Sequence, residues 1–148
     1  MVAIAEAITW TLLLGGMLLK YVLLPGDLGD LAVRIGGLTH GFVFIAYGMT
    51  AVLVGVNQRW SLGLIAAAVG TAVLPYATIP FDRSLERRGR LDGNWRRTAT
   101  SDPRDGNWVN VLLRVMLNRP ILLGALFLIG LVSITATLLV VGPPGGRS

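Results

Sequence analysis

Four ionisable side chains stand inside otherwise apolar segments and are the first candidates for chemistry: Glu6, Lys20, Arg34 and His40. A charged group is expensive to hold inside a lipid bilayer, so each of them is a candidate functional residue. Lys20 and Arg34 lie within a turn or two of the ends of their segments. Their long side chains can therefore reach lipid headgroups or pair with the acidic residues of the turn at 27–30. Glu6 and His40 remain as the candidate intramembrane polar site.

The single histidine, His40, has two interpretations. It is a proton carrier, a quinone hydrogen-bond donor or an axial haem ligand, or it is a neutral side chain that bonds a neighbouring helix through Thr39, Thr50 or a backbone carbonyl. We favour the second, because one histidine cannot supply both axial ligands of a haem and no cysteine is present to complete a metal site. A count of depth along the helices places Gly15 and Gly16 opposite His40.

Glu6 lies one turn inside the first apolar segment and could carry a proton or a cation. It could equally reach outside water or cap a neighbouring helix. At 1.5 Å per residue, Glu6 lies about 14 Å from the level of His40 along the helix axis. A direct Glu6–His40 pair is therefore not expected, and a relay between them would need water or an intermediate group.

The composition of the chain is that of a membrane protein. Its 148 residues are 53% apolar and 14% charged, whereas an average soluble domain has roughly 25% charged residues. This excludes a disordered chain, a disulfide scaffold and an ordinary soluble globule. Four windows are long and apolar enough to cross a bilayer, which takes about 20 residues; they are residues 2–24, 31–56, 60–81 and 120–141. The sequence predicts an all-α fold with four transmembrane helices in one membrane domain, residues 1–148.

Small residues recur along two of the predicted spans and indicate helix packing, because they let another helix approach closely. They are Gly37, Gly41, Gly48 and Gly55 on the second span and Gly63, Ala67 and Gly70 on the third. Such faces are common in membrane helices, so they predict an interface without naming the partner. Some of these faces must pack within the chain, and an external partner is the interpretation for the rest.

The basic residues are concentrated in a loop over residues 82–119, which holds nine of the thirteen. Beside membrane spans, such a loop is typical of the cytoplasmic side and of contact with anionic lipid rather than of nucleic-acid binding. With this loop inside, Lys20, Arg34 and the nine loop arginines, 11 of 13 basic residues, are cytoplasmic. Both termini and the turn at 57–59 are then outside. The expected headgroup or partner contacts are Lys20, Arg34, Arg83, Arg87, Arg88 and Arg114.

Residues 108–118 of this loop have the pattern of an amphipathic surface helix. Asn110, Arg114 and Asn118 recur at every fourth position and form one polar stripe on an otherwise apolar helix. We expect the stripe to face the headgroups, with Trp108 at the membrane boundary. The alternative is that this segment extends the fourth span, which Pro120 opens at a favourable first-turn position.

A short repeat also lies in the loop, where Asp92-Gly93-Asn94-Trp95 recurs as Asp105-Gly106-Asn107-Trp108. Asp-Gly and Gly-Asn pairs favour turns, and a Trp ring suits the headgroup level. We predict two surface turns here rather than a tandem ligand site. A flexible tail is expected over residues 142–146.

Motifs of nucleotide-binding loops, zinc proteases and serine hydrolases are missing from the sequence. The lack of cysteine removes thiol catalysis and iron–sulfur ligation. We therefore expect no enzymatic activity and no metal or cofactor held by this chain itself.

Seven short motifs appear in order over residues 5–83: Ala5-Glu6-Ala7, Leu19-Lys20-Tyr21, Val33-Arg34-Ile35-Gly36, His40-Gly41-Phe42, Tyr47, Trp60-Ser61 and Phe81-Asp82-Arg83. This series resembles a family of small bacterial integral membrane proteins, about three helices long, that is catalogued as a domain of unknown function. The arginine-rich loop and the fourth span go beyond the core of that family. Proteins of this kind are similar to accessory subunits of the actinobacterial respiratory supercomplex, in which a cytochrome bc complex joins cytochrome c oxidase.

The resemblance implies a non-catalytic subunit of the plasma membrane that packs against the oxidase and binds structural phospholipid. Haem and copper are then expected in the partner subunits. The alternative function is a small proton-coupled carrier or quinone-site protein that works through Glu6 and His40.

Overall fold

The fold is helical throughout residues 2–142, the part of the chain that this computed structural model describes. Helix α1 spans Val2–Leu18 and continues as a π-helical turn over Leu19–Leu23, and α2 spans Asp27–Asn57. The remaining helices are α3 (Leu62–Thr71), α4 (Thr78–Arg87), α5 (Trp108–Leu117) and α6 (Pro120–Val141), with a 3₁₀ turn at Pro103–Gly106. No strand occurs within the described residues, so the predicted all-α class is confirmed. Of the predicted tail, residues 143–146 lie outside them.

Three helical segments are long and apolar enough to cross a bilayer: Val2–Leu23, Asp27–Asn57 and Pro120–Val141. They correspond to the first, second and fourth predicted spans, and Pro120 opens the last one as expected. With 31 residues, α2 is about 46 Å long. It is therefore longer than the hydrocarbon core of about 30 Å, and one end projects beyond its neighbours.

Glycines hold α1 and α2 together as an antiparallel pair. A Cβ atom added at Gly16 would lie 2.8 Å from the carbonyl oxygen of Ala32, and one at Gly36 would lie 3.0 Å from that of Leu12. The two backbones meet at a distance that only glycine allows. These positions were not among the predicted interface glycines, because the register of the pair could not be read from one helix.

The segment predicted as the third span, residues 60–81, is not one helix. It consists of α3, a turn over residues 72–77, and α4. Helix α3 ends at Thr71 because Pro75 has no N–H for the Thr71 carbonyl, and its ring would clash with that oxygen. Tyr76 then adopts a φ of 64°, a left-handed conformation that is uncommon for an aromatic residue. The chain turns here, and α3 and α4 form a hairpin over residues 60–90.

Both ends of the hairpin lie at the same end of the bundle. The indole Nε1 of Trp60, before α3, donates a hydrogen bond of 3.0 Å to the carbonyl of Arg90, after α4. At the tip, the carbonyl of Ala72 accepts a bond of 3.2 Å from the indole of Trp10 in the middle of α1. The main buried core lies between the hairpin, α1 and α2, and consists of Ala3, Tyr47, Ala51, Trp60, Ala68, Ala72 and Leu85.

A charge cluster ties the chain beyond the hairpin to the projecting end of α2. Its centre is Asp105, whose side chain is 4% exposed and whose Oδ1 lies 2.6 Å from Arg59 and 2.9 Å from Arg96. Arg114 of α5 donates to the backbone carbonyl of Asp105 at 2.7 Å. Arg59 also pairs with Asp102. We name Arg59, Arg96, Asp102, Asp105 and Arg114 the arginine–aspartate clasp.

Arg96 also closes the C-terminal end of α2. Its Nε donates to the carbonyl of Asn57 and its Nη2 to that of Val56, both at 2.6 Å. These carbonyls have no partner within the helix, so a guanidinium that binds them acts as a cap. The backbone N–H of Arg96 donates to Asn57 Oδ1 at 2.9 Å as well.

These contacts contradict the predicted topology, which placed the turn at 57–59 and the arginine-rich loop on opposite sides of the membrane. Side chains of Arg59 and Asp105 cannot bond across a bilayer core about 30 Å thick. The prediction was wrong because it treated residues 60–81 as one crossing helix. In the structure the hairpin brings the chain back to the end of the bundle where α2 ends. The turn at 57–59 and the arginine-rich loop therefore lie at the same end.

The polar stripe of α5 faces the protein and not the headgroups as predicted. Asn110 Oδ1 accepts a bond of 2.8 Å from Arg96, and Asn118 donates one of 2.8 Å to the carbonyl of Arg97. The exposed face is apolar instead, with Trp108 74% and Leu112 46% exposed. The expected helix is present and is separate from α6, but its orientation is reversed because the loop offers charged partners.

We predict that substitutions at the adjacent glycines of α1 have opposite effects. Gly16→Ala should destabilise the protein by roughly 1–3 kcal/mol, because its Cβ meets backbone of α2. Gly15→Ala should be neutral or stabilising by up to about 1 kcal/mol, because nothing lies within 4 Å of the new atom. Thermal unfolding in detergent, followed by tryptophan fluorescence, measures both. Equal effects would contradict the α1–α2 packing.

The clasp should open in acid. The side chain and backbone N–H of Arg104 lower the pKa of Asp102 to about 2, and hydrogen bonds from Thr100, followed by Arg59, hold the pKa of Asp105 far below its usual range. Carboxylates with lowered pKa values stabilise the fold above their ordinary pKa of about 4. That contribution shrinks as the pH falls below about 4, and at pH 2 about half of Asp102 is protonated. Limited pepsin digestion, normalised to an unfolded substrate, should cut residues 92–107 near pH 2 and spare them near pH 4.

Arg104→Ala should move the onset of cleavage to higher pH, whereas Arg97→Ala, which alters an exposed neighbour in the same loop, should not. Cleavage of the native protein that is as fast at pH 4 as at pH 2 would contradict the clasp.

Candidate functional site: a buried polar row

Four polar side chains form a row buried between α1, α2 and α4. Glu6 and Thr78 are 0% exposed, Thr9 is 5% exposed and His40 is 8% exposed. Small residues on α1, Ala3 and Ala7, flank Glu6 and let the hairpin approach closely. We name Glu6, Thr9, His40 and Thr78 the buried polar row.

Glu6 has a hydrogen-bond partner for one of its two oxygens. Thr78 Oγ1 lies 2.8 Å from Glu6 Oε2 and 3.4 Å from the carbonyl oxygen of Ala3. Oε1 is buried and has no hydrogen-bond partner among the described residues. Within residues 2–142 no Lys, Arg or His forms an ion pair with this carboxyl group, so its surroundings offer no counter-charge.

His40 bonds a neighbouring helix, as the favoured interpretation predicted, but through a different residue. Its Nδ1 lies 3.1 Å from Thr9 Oγ1, and that hydroxyl donates to the backbone carbonyl of Glu6 at 2.8 Å. The threonine hydrogen is thereby committed, so Nδ1 of His40 is the donor. Its Nε2 has no hydrogen-bond partner in the described residues. The ring packs 4.3 Å from that of Trp10, centroid to centroid.

The depth count from the sequence was wrong for this pair. Thr9 and Trp10, and not Gly15 and Gly16, stand beside His40. Glu6 is only three residues from Thr9, about 4.5 Å along the axis, in place of the predicted 14 Å. No direct Glu6–His40 contact is found, and Thr9 is the intermediate group between them.

A cavity of about 140 Å³ lies at the end of the bundle that carries the clasp, one turn from Glu6. Among its lining residues, Tyr47 and Thr50 of α2 and Asp82 of α4 are polar. Tyr47 lies within electrostatic range of both Glu6 and Asp82. The cavity could hold about four water molecules, each of which takes about 30 Å³ in the liquid.

The predicted interface residues separate into two groups. Gly55 packs against Ile65, and a Cβ atom added at Gly48 would lie 3.8 Å from Val69, so both positions serve packing with α3. At the others, an added Cβ atom would meet little or nothing in the described residues. At Gly37 it would lie 3.9 Å from Leu13, and at Gly41, Gly63 and Gly70 it would have nothing within 4 Å. Ala67 is exposed. The small-residue faces of α2 and α3 are therefore partly unused by the fold.

The residues predicted to contact headgroups also fall into two groups, exposed or paired residues and one residue held in the clasp. Lys20 pairs with Asp30 at 2.9 Å, and Arg34 is exposed, as are Arg83, Arg87 and Arg88. Arg114 is held in the clasp, with its side chain 15% exposed, so it is not a headgroup contact. The clasp residues Arg59, Arg96 and Asp105 were missed, because the wrong topology separated them.

No group of three or more His, Cys, Asp or Glu side chains within residues 2–142 is arranged to hold a metal ion. The site offers one carboxyl group, one imidazole and two hydroxyl groups. This set can bind and move protons, and it can order water.

Comparison with known proteins identifies a family over the first four helices. The model of a family described as a domain of unknown function, DUF3817, matches residues 1–87, which end where α4 ends. A Streptomyces coelicolor protein named as a membrane protein is 45% identical over 103 residues, 69% of this chain. The match covers 11% of that relative, so the chain spans only about a tenth of its length. No solved structure matches the chain. From the match to residues 1–87, the chain belongs to the DUF3817 family.

Proposed function

We propose that this protein is a non-catalytic accessory subunit of a larger membrane complex. The observation that carries the proposal is the small-residue face of α2 at Gly37 and Gly41. Within residues 2–142, a Cβ atom added at Gly41 would meet nothing within 4 Å, and one at Gly37 would meet only Leu13, at 3.9 Å. Small residues at such positions allow close helix–helix contact within a bilayer. Helix α6 adds a second surface, since Leu131 is its single buried residue.

The relative from Streptomyces coelicolor supports a module that works beside other membrane helices. There, the matching stretch is 11% of a much longer polypeptide. A domain that occurs within a longer membrane protein is suited to packing against further helices. We propose that the domain in this protein packs against further membrane helices in the same way.

The partner that we propose is the actinobacterial respiratory supercomplex, through contact with its cytochrome c oxidase. This rests on the resemblance of residues 5–83 to a family of small membrane proteins, and on the similarity of proteins of that kind to accessory subunits of the assembly. Haem, copper and electron transfer would belong to the partner. This chain would supply packing surfaces and hold phospholipid, with Arg83, Arg87 and Arg88 at the headgroups.

We also infer an orientation. The nine loop arginines and Arg59, ten of the thirteen basic residues, lie on the segments that meet at the clasp. The positive-inside rule places this end in the cytoplasm. Three crossings then put the N-terminus inside and the C-terminus outside, in place of the earlier expectation that both are outside.

The absence of native cysteine makes the orientation testable by single-cysteine labelling. With a membrane-impermeant thiol reagent on intact spheroplasts, Asp27→Cys should react and Thr98→Cys should react only after permeabilisation. Both positions are exposed. Labelling of Thr98→Cys in intact spheroplasts, with Asp27→Cys labelled only after permeabilisation, would contradict the orientation but would leave the fold unchanged.

Association should depend on Gly41. A tagged copy extracted from native membranes in mild detergent should show stoichiometric haem in its reduced-minus-oxidised spectrum. Gly41→Leu should weaken the association by roughly 5- to 150-fold, which corresponds to about 1–3 kcal/mol of overpacking. Gly15→Leu is the matched control, because it too has nothing within 4 Å inside the chain.

A colourless preparation of the native protein would refute the supercomplex as partner. Equal retention of partner by the Gly41→Leu and Gly15→Leu proteins, or equal loss, would refute the α2 face as the contact.

A further inference from the structure

We propose that Glu6 is a proton-binding site that holds a proton in the resting protein and exchanges it with water at the clasp end of the bundle, by way of Tyr47 and the cavity beside Asp82. This function is independent of the partner proposed above. Within residues 2–142, Glu6 is the one ionisable residue that is 0% exposed, and the packing role does not explain it.

The hydrogen bonds around Glu6 favour the neutral acid. A protonated Oε2 can donate to Thr78 Oγ1 at 2.8 Å, and Thr78 can then donate its own hydrogen to the carbonyl of Ala3 at 3.4 Å. Each hydrogen in this series of hydrogen bonds then has an acceptor. If Glu6 were ionised, its negative charge would have one hydroxyl donor, and Oε1 would have no hydrogen-bond partner in the described residues. Burial makes such an arrangement very costly.

Among the described residues, the titratable side chains that face Glu6 supply no positive charge. From α2 they are Tyr47 and His40, and from α4 the nearest is Asp82. Helix α3 contributes no ionisable residue. The Nδ1 atom of His40 lies 3.1 Å from Thr9 Oγ1 and makes no contact with the carboxyl group, so it does not neutralise Glu6.

The route to water follows the cavity. Asp82 and Tyr47 line its wall, and Glu6 lies one helical turn from Ala3, which lines the same wall. No hydrogen bond joins Glu6 to Tyr47 in the described residues, so the exchange needs one water molecule that enters between Oε1 and the Tyr47 hydroxyl. The carboxyl group gives its proton to this water, the water gives one to the Tyr47 oxygen, and Tyr47 gives its own hydrogen to water in the cavity. The reverse transfer restores all three groups. Asp82, partly exposed at the rim, collects protons from the solvent. Thr78 is a positioning residue that holds Oε2.

Infrared spectroscopy of the full-length protein in lipid vesicles tests the proposal. The chain has two glutamates, Glu6 and Glu86, so ¹³C-labelled glutamate in a Glu86→Gln background reports on Glu6 alone. At neutral pH we expect a protonated-carboxyl band that shifts with the ¹³C label and moves again on transfer to D₂O. The band should disappear in Glu6→Gln and shift in Thr78→Val, which keeps the acid but removes its partner.

The exchange into D₂O should be slower in Tyr47→Phe and in Asp82→Asn than in the parent protein. Absence of a glutamic acid band at neutral pH would overturn the proton site, whether the carboxylate were bare or bound a metal cation. A band that does not exchange, or that exchanges at the parent rate in both variants, would overturn the route. Since none of these readouts involves a partner, they do not depend on the accessory-subunit role.

Discussion

The carboxylate of Asp105 lies where water barely reaches, and three arginines from separate segments meet there. Arg59 follows α2, Arg96 lies in the loop after the hairpin, and Arg114 belongs to α5. A buried carboxylate is tolerated only with such partners, and removing one leaves uncompensated charge. The clasp therefore requires the chain after α4 to return to the end of α2. That requirement makes residues 60–90 a hairpin and not a span.

The return of the hairpin determines what happens to Glu6. On α1 and α2 alone, its side chain would face lipid. The hairpin covers it with Thr78 and closes the cavity beside Tyr47 and Asp82. A carboxyl group thus becomes fully buried near a small cavity at one end of the bundle, whose lining is mostly apolar and includes Tyr47, Thr50 and Asp82. The same hairpin therefore brings the clasp residues together and buries Glu6.

Much of the architecture can be predicted from the sequence. Long apolar runs define α1, α2 and α6, and four-residue polar spacing defines α5. The hairpin was missed because residues 60–81 are apolar enough for a membrane-spanning helix. Pro75 was the one signal in the sequence that this helix is interrupted. The register of α1 on α2 was also missed, since a single helix does not record which glycine its partner meets. Both errors then hid the clasp and misplaced Glu6 relative to His40.

The site was only partly predictable for the same reason. Glu6 and His40 stood out as ionisable residues in apolar segments, which requires no knowledge of packing. Thr9, Thr78 and Tyr47 are unremarkable in the sequence, and they acquire a role only when three helices meet. Asp105 looked like a turn residue in a repeated tetrapeptide, and nothing local distinguishes it from Asp92.

The distance between spin labels at Gln58→Cys and Thr98→Cys, measured by pulsed electron paramagnetic resonance in lipid nanodiscs, tests the returning hairpin most directly. The first position is beside Arg59 and the second is in the loop beyond α4. The account predicts a separation well below the bilayer core thickness of about 30 Å. A separation of about that thickness or more would mean that residues 60–81 cross the membrane, and would contradict the hairpin, the clasp and the burial of Glu6 together.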